Sequence, residues 1–141
     1  MKISGSFIRT CFPCHDDHIY ISDKDYVLPT EKWIEEELNI CYHAILTLIG
    51  ERKYTSEFDC DNRSVLYYGL AGILHAKDKD TTEGIAVGEI WYRKNGGVGH
   101  GICAVFMDVG SNYELRFIEP GGPCFVDLDA KEVSSIYLAK F

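Results

Sequence analysis

The hydrophobic pattern of this chain changes period once, near residue 84, and that switch constrains the fold more than any other feature. Before it, apolar residues recur at helical spacing. Ile34, Leu38, Cys41, Ile45 and Leu48 form one series, and Val65, Leu66, Leu70, Ile73 and Leu74 form another. After it, the runs 84–93, 98–108, 113–119 and 133–141 read as strands. Lys94-Asn95-Gly96-Gly97 is a hairpin signal between the first two, and Val109-Gly110-Ser111-Asn112 a second turn. Helices first and a meander afterwards predict an α+β fold, with N-terminal helices packed on a C-terminal, mainly antiparallel sheet. At 141 residues the chain has length for one core, so 1–141 is expected to be a single domain.

Residues 1–28 show no clear period and are expected to be irregular. Thr30 is the expected cap of the first helix, with Glu31 favouring its first turn and Gly50 ending it. Asp59 is the expected cap of the second. Gly69 and Gly72 inside that helix cost about 1 kcal/mol each relative to Ala. They predict close packing against another element.

The net charge of −8 argues against a general nucleic-acid binder and against an anionic membrane surface. No apolar run reaches transmembrane length, and no export signal is visible, so a cytoplasmic location and reduced cysteines are expected. Cys11-Phe12-Pro13-Cys14-His15 matches the C-x-x-C-H pattern of haem attachment, and Cys11, Cys14, His15 and His18 form a possible zinc set. No second C-x-x-C completes a usual structural zinc site, and an ordinary loop is the favoured reading.

The chemistry-bearing candidates are Cys60, His100 and Glu119. Cys60 precedes the second helical run, where free N–H groups and the helix dipole favour a thiolate. His100 stands between Gly99 and Gly101 in a strand, a setting that allows close approach. Glu119 ends the row 113, 115, 117, 119 on the apolar face of its strand, where a carboxylate needs a partner. Thiol, imidazole and carboxylate in that order make a nucleophile, its base and the group that orients the base. Asp59 and Asp61 flank the thiol and oppose its ionisation. Capping explains Asp59; alternatively a Ca²⁺ ion, held by Asp59, Asp61 and a further oxygen such as that of Glu57, neutralises them.

Five short segments together resemble a known family. They are Tyr26 to Trp33, Asp59-Cys60-Asp61-Asn62, Gly84 to Trp91, Gly97-Val98-Gly99-His100 and Ile118-Glu119-Pro120. Their order and spacing are similar to the papain-like domain of the Marasmius oreades agglutinin C-terminal type and its small phage and prokaryotic relatives. The resemblance implies a papain-like fold and a calcium-dependent cysteine peptidase, with Cys60 as nucleophile, His100 as base and Glu119 as orienting acid. Gly121 stands where that family often has Gln, and Asn62 where small phage relatives usually carry a second acid. The chain contains no glutamine, so an oxyanion hole would use the Cys60 N–H and a donor from the loop 54–56.

The expected function is therefore a thiol hydrolase acting on peptide or amide bonds of a peptide or protein substrate. The alternative is a catalytically silent papain-like module that binds a partner in a phage or mobile-element programme. A transglutaminase-like or peptidoglycan-amidase use of the same three residues is a third, since fold and triad do not fix the substrate.

Overall fold

The computed structural model describes residues 1–50, 58–77 and 81–141. Its N-terminal segment is more ordered than the sequence suggests. Strand β1 (Lys2–Ser4) leads into helix α1 (Gly5–Thr10), which Ser4 caps by accepting the Phe7 N–H at 3.1 Å. A single 3₁₀ turn at Asp16–His18, β2 (Ile19–Tyr20) and β3 (Asp25–Val27) follow. Elements this short are too brief to display a period, which is why the sequence reads as irregular there.

Thr30 caps the first long helix as expected, accepting from the Trp33 N–H. That helix comprises α2 (Glu31–Trp33), a π-helical stretch Ile34–Leu38 and α3 (Asn39–Leu48). The π stretch changes which residues face inward. The regular period predicts Cys41, Ile45 and Leu48, whereas Tyr42 and Leu46 are buried and Leu48 is 84% exposed. A π turn inserts one residue, so every later position on the face moves on by one. Gly50 follows the helix at φ +76°, the left-handed conformation that glycine adopts without strain.

Helix α4 (Cys60–His75) buries Tyr67, Leu70, Ala71 and Leu74, while Val65 and Ile73 point to solvent. Its inner face is thus rotated from the one the sequence predicts. A Cβ on Gly69 or Gly72 would meet nothing within 4 Å, so the expected close packing at these glycines is absent.

The run 84–93 divides. β4 (Gly84–Ile85) pairs in parallel with β3, and β3 pairs antiparallel with β1. β5 (Val87–Arg93) then enters the main sheet and forms a hairpin with β6 (Gly99–Asp108). β7 (Tyr113–Glu119) and β8 (Cys124–Val126) continue the meander. The run 133–141 is not one strand. Asp129 and Glu132 make a capping box that takes Val133 into helix α5 (Ala130–Ser134), and only β9 (Leu138–Lys140) is extended. The main sheet runs β2-β9-β5-β6-β7-β8, antiparallel except for β2 beside β9.

Both faces of this sheet are covered. Val87, Cys103, Val105 and Met107 meet α4 and the helix before it. On the other face Ile90, Ile102, Phe106 and Phe117 pack with Ile8 and Phe12 of the N-terminal segment. No helix among the described residues is long and apolar enough to cross a membrane.

Because Gly69 sits in an open, exposed part of α4, Gly69→Ala should stabilise the protein by about 0.5–1 kcal/mol. Thermal denaturation should show a melting temperature raised by about 2–4 °C.

Candidate functional site

Two of the three candidate residues meet directly. His100 and Glu119 lie on adjacent antiparallel strands, and the His100 Nε2 lies 2.7 Å from Glu119 Oε2. Glu119 Oε1 accepts the Gly121 N–H at 3.0 Å. A carboxylate accepts only, so Nε2 carries the proton and Nδ1 is left as the basic nitrogen of the neutral ring. Burial pushes the Glu119 carboxyl up, but the hydrogen bonds from His100 and the Gly121 N–H outweigh it and leave the group below its ordinary range. Both side chains keep some access to solvent, 15% for His100 and 23% for Glu119.

The flanking glycines have a steric cause. A Cβ at Gly99 would stand 2.6 Å from the Tyr137 hydroxyl. One at Gly101 would stand 3.2 Å from Ser64 Oγ and 3.3 Å from the Trp91 ring. Gly101 therefore lets α4 approach β6 one turn after Cys60. Strand alternation sends His100 to the opposite side, where the Tyr92 ring meets it edge-on with centroids 5.8 Å apart.

Cys60 is the first residue of α4, half-buried and a free thiol. No hydrogen bond joins its sulfur to His100 among the described residues. The ring packed on His100 is Tyr92, which the sequence did not single out. Burial pushes the Tyr92 phenol up to about 12, with contributions from Glu132, Glu119 and Cys60. The alternation of β5, which pairs Tyr92 with His100, is the sequence signal that would have found it.

Asp59 occupies the N-cap position of α4, but its side chain makes no cap hydrogen bond. The neighbouring Asp61 carboxyl is the chief cause that holds Asp59 above its ordinary range. Asp61 is lowered chiefly by its pairing with Asp59, against a smaller push from burial, and by the Asn62 N–H at 2.9 Å. Glu57 and the loop 54–56 lie outside the described residues. The Cys11, Cys14, His15 and His18 set does not gather: among the described residues no group of three or more such side chains could hold a metal. Cys11 donates to the Phe7 carbonyl, and burial raises both thiols.

Comparison with known proteins corrects the family expectation. No family model matches the chain, and no curated protein matches it. Solved structures do. PSL1a in complex with E64 superposes with a TM-score of 0.73 at 18% identity, over 99% of this chain and 50% of that one. Polyporus squamosus lectin, bound to a human-type influenza-binding glycan epitope, gives a TM-score of 0.70 at 17% identity, over 99% of this chain and 49% of that one. The chain spans about half the length of the solved chains it matches, and at this identity the likeness is one of fold. The shared architecture is that of structures named for a lectin. The attribution to a papain-like cysteine peptidase fold and family is withdrawn on that ground. With it go the hydrolase, protease and phage-module readings and the peptide substrate.

Glu119 has a folded-state pKa below its ordinary value of about 4.3. Its contribution to stability is therefore full above that value and is lost as pH falls through the folded-state pKa. Glu119→Gln should cost about 1 kcal/mol at pH 7, a figure already reduced for partial exposure. Denaturant melts of the two proteins at pH 7 and below pH 4 should show the difference shrinking at the lower pH.

Proposed function

We propose that Cys60, His100 and Glu119 form a nucleophilic thiol centre. The observation that carries the reading is the 2.7 Å hydrogen bond between Glu119 and His100 Nε2, which commits that nitrogen and leaves Nδ1 as a proton acceptor. The thiol heads a helix, whose dipole favours an anion at that end. In the proposed step the Cys60 proton passes to His100 Nδ1, and Glu119 holds the resulting imidazolium by its Nε2–H. The thiolate then attacks an electrophilic carbon, and the group released from that carbon takes the proton back from His100. PSL1a, which shares the fold, forms a complex with E64, and this supports a search for covalent thiol chemistry here. A reducing, cytoplasmic setting belongs to the same proposal and agrees with six free cysteines.

E64 itself is a suitable probe, since its epoxide carbon accepts a thiolate and its ring oxygen takes the released proton. Mass spectrometry of the treated protein should show one adduct on Cys60, absent in Cys60→Ala. His100→Ala should slow labelling by about 10²-fold or more, the usual span of general-base assistance. Equal rates for the wild type and His100→Ala would remove His100 from the centre.

The glycan bound to Polyporus squamosus lectin favours a second reading, a carbohydrate-binding module. Titration with that glycan separates the two: saturable binding that survives Cys60→Ala, with no labelling by E64, would select it.

The proposal extends to calcium at Asp59 and Asp61. Two carboxylates flanking a thiol fit a cation that reverses the local field. Millimolar Ca²⁺ should raise both the melting temperature and the Cys60 alkylation rate, and Asp61→Asn should weaken both responses. Unchanged melting and alkylation would remove the ion.

A further inference from the structure

The far end of α4 carries a cavity that the thiol centre does not use. The helix runs from Cys60 to His75, so this end lies about 22 Å from the thiol at 1.5 Å per residue. The cavity has a volume of about 280 Å³, and its walls include Asp23, Tyr26, Tyr68, His75, Glu83 and Phe141.

Its acidic wall is held rigidly. The Tyr26 hydroxyl accepts the N–H groups of Ser22 at 3.0 Å and of Asp23 at 2.9 Å. The Ser22 hydroxyl donates to the Phe141 carbonyl at 2.9 Å. Two glycines fit against this turn and nothing larger would. A Cβ at Gly5 would lie 2.6 Å from the Asp23 carbonyl oxygen, and one at Gly84 2.6 Å from Asp23 Oδ2. Asp23 is thus fixed at the cavity wall, and no basic side chain pairs with it among the described residues. Glu83 differs, since Lys2 neutralises it.

Two further features of the cavity favour positive charge. The last carbonyls of α4 put the negative end of a sixteen-residue helix there. His75 lines the cavity, with its Nε2 3.0 Å from the Glu83 carbonyl and 3.2 Å from the Thr81 hydroxyl. Tyr68 and Phe141 supply aromatic surface, which attracts a cation through the ring quadrupole.

We propose that this cavity is a binding site for a small primary ammonium compound with an apolar or aromatic body. Its ammonium group binds Asp23, and its body lies against Tyr68 and Phe141. The site is separate from the thiol centre and does not depend on it.

Benzylamine and its neutral isostere benzyl alcohol test this by calorimetric titration of the whole chain at pH 7. Benzylamine should bind at least ~10-fold more tightly, and its affinity should fall as salt is raised. Asp23→Asn should bring benzylamine down to the level of the alcohol, and Tyr68→Leu should weaken both ligands. If Asp23→Asn does not fold, Tyr68→Leu and the salt series carry the test. Equal affinities for the two ligands, indifference to both variants, or no saturable binding by ~20 mM would overturn the site.

Discussion

A single buried carboxylate ties the two halves of this chain together. Glu89, on β5, is 1% exposed and receives three donors from three elements. They are the Ser64 hydroxyl of α4 at 2.9 Å, the Trp91 indole N–H at 3.0 Å and the Lys140 ammonium of β9 at 3.1 Å. A carboxylate sealed between helix and sheet is tolerable only with its oxygens satisfied, and breaking one partner leaves the others in a costly state. The network therefore selects one placement of α4 on the sheet. Gly101 makes that placement possible, because a side chain there would press on Ser64 and Trp91.

The proposed thiol centre would inherit its geometry from this arrangement. Ser64 is one helical turn beyond Cys60, so fixing Ser64 over β6 also fixes where α4 begins. His100 and Glu119 are set independently, by the antiparallel register of β6 and β7. Helix placement and strand register must agree for the three groups to act together. Tyr92 stands cross-strand from His100.

Much of the secondary structure was legible in the residues themselves. β7 has the bounds that its alternation and turns predict, Thr30 caps where a cap was expected, and Gly50 ends its helix with the positive φ that glycine permits. Other elements were hidden for identifiable reasons. The π stretch at Ile34–Leu38 shifts the inner face by one residue, and a period averaged over the helix does not register a single insertion. The last strand pattern, 133–141, holds only at its end because a capping box, the four-residue signal Asp129 to Glu132, takes Val133 into a helix. The family name drawn from five short segments did not carry over to the structures that share the fold.

The sequence by itself determined which residues were available for chemistry and which face of each strand they occupy, because alternation and helix-end preferences are local properties of the chain. It placed Glu119 at the end of an apolar row and Cys60 at a helix start. Only the tertiary structure decided what they meet. The His100–Glu119 hydrogen bond joins residues of different strands, the Asp59 side chain makes no cap hydrogen bond, and the Asp23 cavity is built from segments far apart in sequence. Such contacts depend on strand register and helix placement, which follow from the packing of the whole core.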